Sequence, residues 1–265
     1  MLLRYLYVSK GEFQYMFKFC LLCRGKFFCH FLLNFCYNSI FHYIFLPFGY
    51  FGLRHEQEGR LNHNLEQTAR AIFEEYFGGR EPNGVLADIA NITMGQSPSG
   101  ESFNEDGHGT IFYQGRAEFG TRFPTHRLFT TSPNRMAECG DVLLSVRAPV
   151  GDLNVANERC CIGRGLAAIR GKHDNQSFLL YTMIAAREQL DIFNGTGTVF
   201  GSINKNALEK LAVYVPNSHE IKNFEIAVCP IDKQIAVTSA DSTQLANLRD
   251  TLLPRLMSGE LSVNG

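Results

Sequence analysis

Gly140 to Asn154 constrains the fold more than any other stretch of the chain. Val142 to Val146 is an apolar, β-branched run. Pro149, Gly151 and Asp152 supply a turn, and Leu153 to Ala156 resume as a second strand. Cys161 to Ile169 predicts a third strand after this hairpin. Arg147 sits at the tip, where the turn begins.

A helix precedes the hairpin and another follows it. In Gln57 to Phe77, Leu61, Leu65, Thr68, Ile72 and Tyr76 recur at helical spacing, and Ala69, Phe73 and Phe77 widen the stripe. Gly78-Gly79 stops this helix and Pro82 follows. Near the C-terminus, Ile231, Ile235, Thr238, Ser242, Leu245, Leu248 and Leu252 follow the alternation of a heptad seam that ends near Pro254 and Gly259. A lone helix with such a seam needs a partner, so the two are expected to pair antiparallel with each other and with copies from another chain.

The block between them reads as mostly β. Leu86 to Met94 is a strand leading into the turn-rich loop Gly95-Gln96-Ser97-Pro98-Ser99-Gly100, and Ile111 to Gln114 is a short strand. A loop from Gly115 to Pro124 carries Arg116 and Arg122. Gln176 to Phe193 is a helix closed by Gly195-Thr196-Gly197, Asn206 to Leu211 a helical turn, and Ala212 to Val215 a last strand. The expected fold is α+β, with residues 56–81 and 218–265 as the helices and 82–217 as the β block.

Residues 1–55 do not match the remainder. Met1 to Leu53 holds 11 of the 22 Phe and 6 of the 10 Tyr, with no Ala, Asp or Thr. Phe27 to Leu53 is an uncharged run of 27 residues, longer than the roughly 20 a membrane span needs. It nevertheless contains Asn34, Asn38, His42 and Pro47. Cys20 and Cys23 have metal-ligand spacing, with Cys29, Cys36, His30 and His42 nearby, but no second such pair follows. The segment lacks both sheet and helix periodicity, and its composition is what AT-rich DNA yields in an arbitrary frame. This last reading is favoured, so the segment is not expected to be native to the fold.

Net charge is -1, which gives no overall basic signal. Within residues 82–217, however, nine Arg stand beside three Lys and thirteen acidic residues. Arginine's flat fork pairs with guanine edges and phosphates. The eight scattered cysteines suit reduced thiols rather than a secreted framework. No phosphate loop, H-E-x-x-H or G-x-S-x-G elbow is present. The Gly195 to Gly201 run reads as a flexible loop. His108, His126 and His173 read as solvated, and Asp141 and Asp152 as structural. No catalytic residue or metal ligand is therefore assigned.

Three blocks resemble the specificity subunits of type I restriction-modification systems. They are Leu61-Asn62-x-x-Leu65-Glu66-x-x-Ala69-x-x-Ile72-Phe73, then Leu86 to Pro216 with Ser145-Val146-Arg147-Ala148-Pro149-Val150-Gly151-Asp152 at its centre, then Leu248-Arg249-Asp250-x-Leu252-Leu253-Pro254-Arg255-Leu256-Met257-Ser258-Gly259-Glu260-Leu261. The resemblance implies a target-recognition domain between two conserved helices that form an antiparallel coiled coil. It implies a non-catalytic, cytoplasmic subunit that binds double-stranded DNA and docks modification and restriction subunits. S-adenosylmethionine, ATP and Mg would sit on those partners and no cofactor on this chain. Such proteins usually carry two recognition domains, whereas this chain matches the C-terminal half. A homodimer, or pairing with another specificity half, is expected through the helices. The alternative is a membrane-tethered or inactive truncated remnant. By side-chain chemistry and loop position the candidate DNA contacts are Gln96, Ser97, Ser99, Arg116, Arg122, Arg147, Asn154, Arg164 and Lys205.

Overall fold

The structure, a computed structural model, describes residues 46–173, 175–194, 201–258 and 260. Residues 1–45 of the N-terminal segment, on which its three readings mostly rest, and the closing loop Gly195-Thr196-Gly197 fall outside the described residues, whereas residues 46–55 are helical and carry the first helix ten residues ahead of its expected start. The chain divides into two units, residues 1–59 and 60–265. Of the first, the described part is the opening of a helix.

That helix is α1 (Leu46–Phe77). It buries Ala69, Phe73 and Phe77, while Leu61, Thr68 and Tyr76 stay exposed. The buried stripe thus follows the i,i+4 row 65–69–73–77 rather than the row led by Leu61. The cause is local: the last turns of α1 pack on aromatic side chains, with Phe77 5.0 Å from the Phe178 ring and 6.0 Å from that of Tyr214. Gly79 ends the helix at φ +70, a backbone region glycine enters at no steric cost.

β1 (Gly84–Val85), the one-turn helix α2 (Leu86–Ile89) and β2 (Ala90–Met94) follow. The strand expected from Leu86 starts four residues late because the Asp88 carboxylate accepts the Val85 N–H at 2.8 Å and starts a helical turn. Next come β3 (Phe103–Asn104), β4 (Thr110–Tyr113), β5 (Leu128–Thr130) and β6 (Met136–Ala137). The hairpin is β7 (Val142–Ser145) and β8 (Leu153–Val155), with Leu143 opposite Asn154. Beyond it lie β9 (Cys160–Ile162), β10 (Leu166–Gly171), α3 (Gln176–Ala185), α4 (Arg187–Asp191), α5 (Lys205–Glu209), β11 (Ala212–Val213) and α6 (Ser218–Met257).

The single third strand expected over Cys161 to Ile169 is two strands in two sheets. β10 lies between β2 and β7 in an antiparallel sheet of order β2-β10-β7-β8. β9 lies in a sheet of order β3-β5-β4-β9-β6, parallel to β4. Gly163 and Gly165 make the switch. β7 is buried throughout, with an apolar Val142 to Leu144, because both its faces are covered. Val142, Leu144, Ala167 and Ile169 pack with the helices, while Leu143, Leu166 and Ala168 pack with Ile111, Tyr113 and Ile162.

α6 starts at the expected residue 218, ahead of the first seam residue Ile231, because Asn217 caps it. The Asn217 side chain accepts the N–H groups of His219 and Glu220, each at 3.0 Å, and Glu220 accepts the Asn217 N–H. Along α6, Phe224, Val228, Ile235 and Thr238 are buried, whereas Leu248, expected in the seam, is exposed. α1 and α6 run antiparallel. Phe77 meets Phe224 edge-to-face at 5.3 Å, and fifteen residues back along α1 the Asn62 amide donates to Ser239 Oγ at 3.0 Å. Among the described residues no helix is long and apolar enough to cross a membrane.

Candidate nucleic-acid interface

Six of the nine arginines in residues 82–217 are held by carboxylates. Arg116 and Arg187 grip Asp152 at 2.8 and 2.9 Å, and Arg122 grips Asp232 at 2.5 Å. Arg127 meets Glu118 at 2.5 Å, Arg159 meets Glu138 at 3.2 Å and Arg170 meets Asp141 at 2.7 Å. Arg135, Arg147 and Arg164 are exposed and have no carboxylate partner among the described residues. A guanidinium already neutralised by a carboxylate contributes little to a phosphate, so these three are the arginines of the block left available to one.

Backbone hydrogen bonds bring the three to one rim. The Ile162 N–H donates to the Arg135 carbonyl at 2.9 Å, and the Ile162 carbonyl accepts the Gln96 N–H at 3.0 Å. The Arg164 N–H donates to Ser97 Oγ at 3.3 Å. The Val146 N–H donates to the Gly165 carbonyl at 2.9 Å, which sets Arg147 next in line. Beyond it, Arg147 bridges Ser202, and Ile203 N–H reaches the Val146 carbonyl at 3.0 Å. Gln96 is exposed on this rim and Ser97 is half-buried within it. Ser99 is exposed in the same loop and its carbonyl accepts Ser102 Oγ at 2.7 Å. Lys205 opens α5 three residues past Ser202, but pairs with Glu209 at 3.5 Å.

Close approach of backbones makes the rim. A Cβ on Gly95 would lie 2.1 Å from the Gly163 carbonyl oxygen, and one on Gly163 2.7 Å from that of Gln114. Gly95→Ala is therefore expected to push the rim segments apart and cost about 1–3 kcal/mol. Urea unfolding measures the cost, and a change below ~0.5 kcal/mol would show that the loops separate freely.

Arg122 and Asn154 do not belong to the rim, which corrects their assignment as DNA contacts. Both are buried. The Asn154 amide donates to the Gly120 carbonyl at 3.0 Å and its oxygen accepts the Gly120 N–H at 3.2 Å, pinning the loop to the hairpin. Arg122 lies 5.7 Å above the Tyr181 ring and 3.9 Å from Glu66 as well as on Asp232, to which the Tyr181 hydroxyl donates at 2.8 Å. Burial works against its charge, but Asp232, Tyr181 and Glu66 outweigh it and hold its pKa above the usual value. Arg116 stays half-exposed but bound to Asp152. It lines a separate cleft of about 450 Å³ between the hairpin, α1 and α3 with Arg122 and Asn154.

A profile of the type I restriction modification DNA specificity domain matches residues 83–240, well over half of the chain. The chain belongs to this specificity-domain family. The MjaX type I restriction enzyme specificity subunit of Methanocaldococcus jannaschii is 35% identical over 174 residues, covering 65% of this chain and 41% of that protein. The crystal structure of the HsdS subunit from Thermoanaerobacter tengcongensis is 32% identical with a TM-score of 0.51, covering 78% of this chain and 54% of that one. The S subunit of a type I restriction-modification system from M. genitalium, 16% identical, shares the fold with a TM-score of 0.61, covering 81% of this chain and 60% of that one. The chain thus spans about half the length of the relatives it matches.

Burial pushes the Cys160 thiol up to about 12, and Cys161 shifts the same way for the same reason, so neither supplies a thiolate. Among the described residues no group of three or more His, Cys, Asp or Glu could hold a metal. His126 is tied to Glu158 at 2.9 Å, and Asp141 accepts both Arg170 and the Glu138 N–H, which fits its structural reading. Arg135 is the rim residue that sequence reasoning missed. Its signal was an arginine directly after the turn residues Ser132-Pro133-Asn134.

Proposed function

We propose that the chain is the sequence-specific DNA-recognition subunit of a type I restriction-modification complex, working in the cytoplasm. It would direct adenine methylation and DNA restriction by modification and restriction subunits. The observation that carries this is the rim: three exposed, unneutralised arginines and the Gln96 amide, set side by side in a specificity-domain fold. Arginine and glutamine are the side chains whose forks match guanine and adenine edges. The partners would hold S-adenosylmethionine, ATP and Mg. Copurifying the chain with a family modification subunit and mapping methylated adenines across a host genome tests the reading. A fixed methylated sequence supports it, and no methylation from an assembled complex overturns it.

The half-length chain would complete itself by pairing through α1 and α6, with a second copy or with another specificity half. An apolar seam must be covered, and two-fold closure is the commonest way for identical chains to do so. Leu245 and Leu252 are half-buried along α6. Leu245→Asp and Leu252→Asp together are expected to convert a dimer to monomer in analytical ultracentrifugation and abolish methylation, with the recognition block still folded. A homodimer should methylate an inverted repeat with a fixed spacer. An asymmetric bipartite site would mean pairing with a different specificity half.

A further inference from the structure

The rim has an order along its length. Arg135 lies beside Gln96 through their shared partner Ile162, Ser97 lies beside Arg164, and Gly165 lies beside Val146 and hence Arg147. Arg135 and Arg147 are the two ends, with Gln96 and Arg164 between them. A major groove, ~12 Å wide, has phosphates at its borders and base edges on its floor, so a row of side chains laid across it meets phosphates at its ends and bases between.

We propose that the rim divides its work by position, with Arg135 and Arg147 each holding a phosphate at the groove's borders and Gln96 and Arg164 facing the bases between them. This rests on the DNA-recognition reading above. It adds Arg135 to the interface and separates residues that set affinity from residues that set sequence. The four side chains are available for the task because the rim is tied together by backbone atoms and by Ser97, not by them. Asn134 adds a further tie, its amide donating to the Ser97 carbonyl at 3.5 Å. The Gln96 side chain carries a donor and an acceptor on one edge, as adenine does, whereas a border phosphate offers acceptors alone and asks only for a cation.

The test uses the full chain assembled with its modification subunit, a fluorescent 30-base-pair duplex of mixed sequence, and a randomised duplex library selected by binding and sequenced. Arg135→Ala and Arg147→Ala should each reduce the slope of log K against log salt by about 0.9, as loss of one phosphate contact does. Both should leave the selected sequence unchanged. Gln96→Ala and Arg164→Ala should relax the selected sequence at one position each. Arg135→Lys should keep the salt slope, and Arg159→Ala, whose guanidinium is already on Glu138, should change neither readout. Circular dichroism melts confirm that each variant is folded. An unchanged slope for Arg135→Ala beside a reduced one for Arg147→Ala overturns the role of Arg135. A changed selected sequence for either end variant overturns the division of work. Wild-type complex that binds no duplex overturns the DNA-recognition reading itself, a distinct outcome.

Discussion

Arg122→Ala is expected to destabilise the protein by about 3–5 kcal/mol, the usual result of removing one member of a buried ion pair. The loss goes beyond one contact. Asp232 of α6 would be left with the Tyr181 hydroxyl alone, Glu66 of α1 would lose its cation across the joint, and the Tyr181 ring would lose the guanidinium above it. Arg122 comes from a loop of the β block, so the same change loosens that loop from both helices at once. Urea denaturation monitored by circular dichroism measures the effect. A loss below ~1 kcal/mol would mean the network is screened as a surface pair is.

Phe224→Ala should cost a similar amount, about 3–5 kcal/mol. Its ring is fully buried and stands 5.3 Å from Phe77, 5.8 Å from Phe73 and 6.2 Å from Phe178. One side chain therefore fastens α6 to α1 and to α3, and the cavity it leaves is bordered by rigid rings that relax poorly. Leucine at this position should recover part of the loss by refilling volume. If the alanine variant unfolds at the wild-type urea midpoint, the aromatic cluster is not what docks the helix pair.

The two expected losses lie where α1 and α6 meet the β block, and that junction is what the sequence conceals. Val142 to Val146 with Pro149 and Gly151 marks a hairpin because run and turn are adjacent in the chain. The helices are marked by period. Arg122 looks like a free loop arginine because its carboxylate is 110 residues away on another element. Asn154 looks like a polar strand residue available to a ligand, but it is consumed by the Gly120 backbone. The split of Cys161 to Ile169 into two sheets was equally hidden, since strand partners are chosen by long-range pairing and the only local sign was glycine on either side of Arg164. At the rim, legibility depended on neighbours in the chain. Arg147 and Arg164 stand within recognisable turns, whereas the turn before Arg135 was left unread. What no local pattern could give is which arginines already have carboxylates.

The backbone construction of the rim bears on how such a protein changes over generations. Gln96, Arg135, Arg147 and Arg164 are placed by hydrogen bonds that any side chain but proline's at those positions would leave intact. Exchanging them therefore alters what the surface prefers without asking the fold to be rebuilt. Gly95 and Gly163, which make that placement possible, have no such latitude. On the proposed DNA-recognition reading, new target sequences would then arise by substitution at a few exposed points while the scaffold is inherited unchanged.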